Sequence, residues 1–289
     1  MRKLQLLLVV ATAALAAVPA VSFAQSPPSA KDRATAVRLC RAQLTAMGPA
    51  AFKQFYGANT SKANAWGKCV SKFARLQQSN RTNAAKQCRA EQNDPSFAAT
   101  HDGKTFAQFY GTNADDSNAF GNCVSLKASA ASAGQHQEVM NAAQRCRAQR
   151  TSMGDKSFSE LYGANANDRN AFGKCVSKLA REEHANRVNA AEACRAEQND
   201  LSFPATHGGK TFTQFYGTNA NGSNAFGKCV SRKAKQASQE RQEATLTAAR
   251  QCKAERAQMG ERAFRAKYGV GLRRANAFGN CVSQKASRQ

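Results

Sequence analysis

After its first 24 residues the sequence has no long apolar run, and it contains no closely spaced Cys-x-x-Cys or Cys-His pair. The missing apolar run argues against a later membrane-spanning helix, which needs about 20 apolar residues. The missing close pairs argue against zinc, whose structural sites usually draw on them. Acidic residues are also scarce: 19 Asp and Glu stand against 42 Lys and Arg, a net charge of +23. Such a charge favours anionic partners.

The N-terminal stretch is the exception to the shortage of apolar residues. The basic pair Arg2-Lys3 precedes an almost wholly apolar run over residues 4–18, and a small-x-small cleavage site ends at Ala24. We predict a secretory signal peptide over residues 1–24; the alternative is an uncleaved anchor. Removing the signal takes two positive charges away and leaves +21. Ten cysteines fit a secreted protein, since disulfides persist outside the cytoplasm.

The rest of the chain is a tandem repeat. Successive cysteines are alternately separated by 29 or 35 residues within a unit and by 19 or 23 residues between units. Units one, three and five are short and share a Met-Gly, whereas units two and four carry a six-residue insertion. This self-similarity predicts a linker and five repeat units. Their bounds are 25–30 for the linker, then 31–78, 79–136, 137–184, 185–242 and 243–289.

The residue pattern of each unit predicts helices. A Phe and a Tyr four residues apart share one face of a short helix. The Gly that follows the Tyr suits a left-handed helix stop. From the second cysteine of one unit to the first of the next, the chain lacks Pro and favours one long helix. Gly134 is a plausible break in the second of these helices.

The long helices limit how the cysteines can pair. Nineteen residues of continuous helix place Cys69 and Cys88 about 28 Å apart, whereas a disulfide needs alpha carbons within about 7 Å. We therefore predict that each unit closes on itself. The expected pairs are Cys40–Cys69, Cys88–Cys123, Cys146–Cys175, Cys194–Cys229 and Cys252–Cys281.

The Asn-Ala-Phe-Gly-x-Cys motif has a structural interpretation in every unit. The Asn is expected to satisfy backbone groups of the turn. The aromatic residue, three positions before the cysteine, is expected to cover the disulfide, and the Gly to let a neighbouring helix approach. The asparagines are Asn64, Asn118, Asn170, Asn224 and Asn276. The aromatic residues are Trp66, Phe120, Phe172, Phe226 and Phe278, and the glycines are Gly67, Gly121, Gly173, Gly227 and Gly279.

Neither a metal site nor a catalytic site is predicted. The turn with Asp115 and Asp116 places oxygen side chains at alternate positions, as calcium loops do, but it lacks the further carboxylates of such a loop. His101 and His207 match in the two long units, yet no partner residue recurs beside them, and a tight reverse turn explains them better. His136 and His184 are expected to be solvated.

The most regular charged feature is the basic residue after each first cysteine. With the Lys before several second cysteines, it predicts repeating cationic patches that would suit a polyanion. The alternative is an ordinary solvated basic face. The candidate contacts are Arg41, Arg89, Arg147, Arg195, Lys253, Lys68, Lys174 and Lys228.

The units share, with small variations, the run Cys-Arg-Ala-Glu, Phe, Tyr-Gly-x-Asn, Asn-Ala-Phe-Gly-Lys-Cys-Val-Ser. This run resembles a repeat of uncharacterised exported bacterial proteins. The resemblance covers about residues 31–289 and brings no activity with it, so it implies no functional residues. Unit five departs from the pattern at Gly271, where the other units have Asn.

These observations predict an all-α fold of five disulfide-stapled helical hairpins joined by shared helices. The hairpins form either a solenoid or beads on helical rods. The function we predict is a non-catalytic exported binding or scaffold protein that engages anionic envelope polymers or extracellular nucleic acid, without a cofactor. The alternatives are a protein-binding helical array and, third, an enzyme or enzyme inhibitor.

Overall fold

The computed structural model describes residues 27–58, 61–163, 170–270 and 276–288, and these residues form an all-α structure. The predicted signal peptide lies outside them. Long helices dominate because the segments between units are rich in Ala, Lys, Arg, Gln and Glu and lack Pro. The described residues contain α1 (Ala30–Tyr56), α2 (Ala65–Gln92), α3 (Phe97–Thr100), α4 (Phe106–Tyr110), α5 (Ala119–Met153), α6 (Asp155–Tyr162), α7 (Ala171–Gln198), α8 (Phe203–Thr206), α9 (Phe212–Tyr216), α10 (Ala225–Tyr268) and α11 (Ala277–Ala286).

All ten cysteines are in disulfides, and each disulfide closes one repeat unit. The paired alpha carbons lie 6.0 to 6.1 Å apart. The staple joins the end of one long helix to the beginning of the next. The bonds are Cys40–Cys69, Cys88–Cys123, Cys146–Cys175, Cys194–Cys229 and Cys252–Cys281.

Successive long helices pack side by side, α1 on α2, α2 on α5, α5 on α7 and α7 on α10. Their contacts midway between units are polar. Asn80 donates to Ser132 across the α2–α5 contact at 2.9 Å, and Asn186 donates to Ser238 across the α7–α10 contact at the same distance. Both asparagines are buried. Midway between units, hydrogen bonds between buried polar side chains therefore join helices that have too few apolar residues there for an apolar interface.

The short and long units have different places in the fold. Buried residues of units one, three and five form a single core. Unit two has a separate core around Phe97, Phe106 and Tyr110, and unit four a matching one around Phe203 and Phe212. The short units thus stack like a solenoid along one end of the helices, while the long units remain separate at the other end.

A kink after the Met-Gly sequence shapes each short unit. Met47 is buried, and Gly48 has a φ of +74°, a conformation that glycine adopts without strain. Gly154 and Gly260 repeat it at +79° and +80°. The kink directs the next short helix, with its Phe and Tyr, across the disulfide.

Two predictions about glycine are wrong. The Gly after each Tyr has a negative φ, −70° at Gly57, so it is not a left-handed stop. It is needed for space: a Cβ on Gly57 would lie 2.6 Å from the carbonyl oxygen of Lys53 and 2.4 Å from the Cβ of Lys62. Gly134 does not break α5 either, since packing of the helix against α2 and α7 outweighs the weak propensity of one glycine.

The asparagine prediction is confirmed for three units. Asn64 Oδ1 accepts a hydrogen bond from the backbone N–H of Ala58 at 3.0 Å. Asn118 and Asn224 accept equivalent bonds at 3.0 Å in the long units. These bonds close the turn between the short helix and the next long helix, because the Asn precedes that helix and reaches back six residues.

The residue three positions after the first cysteine of each unit, Gln or Glu, binds the unit's tyrosine. The hydroxyl of Tyr162 donates to Gln149 Oε1, and that of Tyr216 donates to Glu197 Oε2 at 2.9 Å. Burial and the bond to Glu197 raise the pKa of Tyr216 to about 12. The choice of acceptor follows its surroundings: Lys233 pairs with Glu197 at 2.7 Å, whereas buried Leu179 stands at the position of that lysine in unit three.

Candidate functional site

The eight predicted polyanion contacts do not form one surface. Lys253 lies between units three and five, where its Nζ donates to the carbonyl oxygen of Met153 at 3.3 Å. Arg147 holds the matching place between units one and three, with its guanidinium 4.0 Å from a Cβ built on Gly48. The residue after the first cysteine therefore serves the stacking of short units at two of its five positions.

In the long units the same position has a different environment. The guanidinium of Arg89 lies 5.8 Å from the centre of the Phe120 ring, and that of Arg195 lies 5.7 Å from the centre of Phe226. Both arginines remain exposed. They are thus cations held over half-buried aromatic rings, with N–H groups that can still reach a ligand.

A basic stripe with two hydroxyl residues at its centre runs along α2. Its positions follow one another by four and three residues in alternation, which keeps them on a single helix face. All seven side chains are exposed, five are cationic, two carry hydroxyls and none is acidic. The stripe extends over about 32 Å. We call it the α2 stripe: Lys68, Lys72, Arg75, Ser79, Thr82, Lys86 and Arg89.

The charges of the α2 stripe are not neutralised within the described part of the chain, where none of the five takes part in an ion pair. Lys72 lies over the rings of Phe55 and Tyr56, 5.2 and 5.8 Å from their centres. Partial desolvation there lowers the pKa of Lys72. The sequence prediction included Lys68 and Arg89 but missed the three cations between them, which the helical period would have revealed.

The other long helices carry weaker versions of the stripe. On α7 the equivalent positions include Lys174, Lys178, Arg181 and Arg195, but Glu192 interrupts them. On α10 the matched segment contains Lys228, Arg232 and Lys235, followed by uncharged glutamines. On α5 the corresponding residues are Asn122, Leu126, Ser129 and Ala133. The positive face is therefore strongest on α2 and absent from α5.

Cations from α2 and α7 meet in one groove. It has a volume of about 620 Å³. Glu138 also borders it, but that carboxylate accepts from Arg187 at 2.8 Å and lies 3.2 Å from His184 Nδ1. The groove joins an apolar floor to a positive rim, a combination suited to an anion with an apolar part. Its lining includes Lys72, Lys174 and Arg181 on the rim and Phe55, Phe73, Leu76, Val139 and Ala180 on the floor.

The matched histidines of the long units have structural contacts. The His101 ring stacks on Phe97 at 3.7 Å and meets Phe109 edge-on at 4.6 Å. Its Nδ1 lies 2.8 Å from the carbonyl oxygen of Phe97, so Nδ1 carries the hydrogen. His207 repeats the stacking at 3.7 Å. The histidine thus belongs to the small core of each long unit and ends its first short helix.

The expectation that the other two histidines are solvated holds for His184 and is wrong for His136. His136 is half-buried and packs edge-on against Phe73 at 6.4 Å. Burial lowers its pKa. His184 is exposed, yet its Nδ1 contacts Glu138. The two contacts arise because α5 packs against both α2 and α7.

The calcium-like turn uses its oxygens internally. Asp115 Oδ1 accepts from the side chain of Asn113 at 2.5 Å and from the backbone N–H of Ser117 at 3.2 Å. Neutral Asn221 caps Ser223 in the same way in unit four, at 3.1 Å. The carboxylate is thus replaceable by an amide, which indicates a turn-stabilising role. No cluster of three or more metal-binding side chains occurs in the residues described.

Among the described helices, none has the length and apolarity needed to cross a bilayer. Comparison of the chain with models of protein families, with curated proteins and with solved structures finds no match.

Proposed function

We propose that this chain is an exported, non-catalytic repeat protein that binds an extended polyanion along the α2 stripe. The observation that carries the proposal is the exposure of five cations in register over about 32 Å of one helix face. Five disulfides and the apolar N-terminal stretch support an oxidising, extracytoplasmic location.

Electrostatics supports an anionic polymer over a small ligand. A small anion would contact one or two cations of the stripe, whereas a polymer can neutralise several and release their counterions together. The helix also fixes the spacing of the backbone positions that carry the cations, so binding does not have to order the backbone. Lys174 and Arg181, which share the groove with Lys72, extend the positive surface from α2 towards α7.

The test is binding of the oxidised, signal-free protein to a short duplex DNA and to heparin across a salt series. For the DNA, log affinity should fall linearly with log salt concentration. The triple variant Lys68→Gln, Arg75→Gln, Lys86→Gln should bind more weakly and reduce the salt slope by roughly 2.7, at about 0.9 per phosphate contact. The measurement is fluorescence anisotropy of the labelled polymers.

A matched control removes three exposed lysines elsewhere: Lys104→Gln, Lys156→Gln, Lys210→Gln. It has the same net charge as the stripe variant and should keep most of the salt slope. Binding that is insensitive to salt, or equal losses in the two triple variants, would contradict the α2 stripe as the binding surface.

A further inference from the structure

The stack of short units is built from one contact used twice. We define the leading face of a short unit as the surface that packs on the preceding short unit. In unit three it includes Phe172 and Gly173, which meet the kink and short helix of unit one. A Cβ on Gly173 would lie only 2.8 Å from the carbonyl oxygen of Gln54. Phe172 is 3% exposed in this contact.

Unit five packs on unit three through its own leading face. Phe278 is 3% exposed, and a Cβ on Gly279 would lie 3.5 Å from the carbonyl oxygen of Glu160. Arg256 pairs with the Glu160 carboxylate at 2.7 Å. The aromatic-Gly pair before the second cysteine therefore has the same task at both junctions.

Unit one keeps this leading face, and within the described part of the chain no other unit packs on it. Trp66 is 38% exposed at the position of Phe172 and Phe278. Apart from its chain neighbours and the backbone of its own helix, no atom of the described residues lies within 4 Å of a Cβ built on Gly67. The basic residue of the junctions is present as Arg41, which is also exposed. Unit one thus carries the residues of a stacking surface, and no described unit of the same chain covers them.

The opposite face, which we call the trailing face, is not covered on unit five by any other unit among the residues that the structure describes. It consists of the kink and the short helix after it. Met259 is 36% exposed, whereas Met47 and Met153 at the same position are 2% and 4% exposed beneath the next unit. Residues 257–263 are all exposed. Gly260 has the same positive φ as its counterparts, so the local shape of the face is preserved.

The charged pair of the junction changes at both free faces together. Arg256 and Glu160 form the ion pair between units three and five. The position of Arg256 is Leu44 in unit one, and the position of Glu160 is Ala266 in unit five. Leu44 is half-buried and Ala266 exposed. A leading face of unit one placed on a trailing face of unit five would therefore set Leu44 against Ala266, so this pair of positions would bury no charged side chain.

We propose that a second copy of this chain docks its unit one on unit five, so that the stack of short units continues from one molecule to the next. The contact is heterologous, because the two faces differ, and each dimer still presents one free face of each kind. Longer head-to-tail assemblies therefore form as the concentration rises. We infer a second copy as the partner because the two junctions within the chain already show the geometry of this contact.

Trp66 gives a direct readout, because it is the only tryptophan in the sequence. Sedimentation velocity of the oxidised, signal-free protein over a concentration series should show association. The tryptophan emission should move to shorter wavelength over the same range, as the indole leaves water.

Gly67→Leu tests the docking face. A side chain there should weaken association by about tenfold or more, because the docked backbone leaves no room for it. Gly121→Leu is the matched control, since a Cβ at Gly121 also meets nothing within 4 Å but unit two has no stacking partner. The control should associate like the unmodified chain.

A second pair of variants tests the register. Leu44→Arg or Ala266→Glu alone should weaken association, and the double variant should recover it by restoring the ion pair found between units three and five. A chain that stays monomeric throughout the concentration series, associates without a change in emission, or loses association equally in both glycine variants would overturn the proposal.

Discussion

Replacing Phe172 by alanine tests whether stacking of the short units supports the fold. The side chain is 3% exposed and lies between units one and three, where it lines a small cavity together with Met47 and Pro49. Removing a fully buried Phe costs about 3 to 5 kcal/mol in unfolding free energy, from lost burial and from the cavity. At the same repeat position Trp66 is 38% exposed, so Trp66→Ala should cost less, about 1 kcal/mol.

Urea unfolding of the oxidised protein, followed by far-UV circular dichroism, measures both costs without relying on the tryptophan. Phe278→Ala should resemble Phe172→Ala, because Phe278 is equally buried at the second junction. Phe120→Ala should lie between the two extremes, since Phe120 is half-buried in a separate unit. Equal losses at Trp66 and Phe172 would refute the argument, because both are aromatic residues at the same repeat position and differ in burial.

Two further predictions concern acid and the disulfides. Hydrogen bonds from Lys267, Lys285 and Tyr268 lower the pKa of Glu255 to about 2, below about 4.3 in the unfolded chain; its stabilisation is therefore complete above about pH 4.3 and lost as pH falls towards 2. Glu255→Gln should thus be less stable than the unmodified chain at pH 7 and approach it near pH 2 in urea titrations, while Glu192→Gln at an exposed site should show no such convergence. The double variant Cys88→Ser, Cys123→Ser removes a staple worth about 4 kcal/mol from a separate small core. Hydrogen exchange should then show lost protection in residues 88–123 with α1 still protected, and loss of protection throughout α1 would contradict the independence of unit two.

Apart from the break wrongly expected at Gly134, the sequence was sufficient for the long helices and for the turns that asparagine closes, because both depend on local chemistry. The four-residue spacing of Phe and Tyr predicts their shared face, and an Asn before a helix predicts the bond that Asn64 makes to Ala58. Gly57 shows the limit of local reasoning. The need for glycine there comes from Lys62, which packs against it across the turn, and no helix-ending rule contains that contact.

The division into stacked and separate units was harder to predict, because it depends on contacts between residues about 100 positions apart. Short and long units share the aromatic-Gly motif, yet Gly173 meets another unit and Gly121 does not. The α2 stripe was missed for a different reason. The repeat pattern points to the basic residues beside cysteines. Lys72, Arg75 and Lys86 are recognised only by their spacing of three and four residues along α2.

The separation of a stacked end from a free end restricts how this chain can change in length. Duplicating one unit of about fifty residues would bring a short unit to the free end or a long unit into the stack, where the Met-Gly kink is missing. Duplicating a short and a long unit together, as the 106-residue period indicates, adds one short unit to the stack and one separate long unit at the other end. Growth in such steps leaves every existing junction between short units unchanged. The long units can therefore diverge in sequence while the stack of short units stays the same.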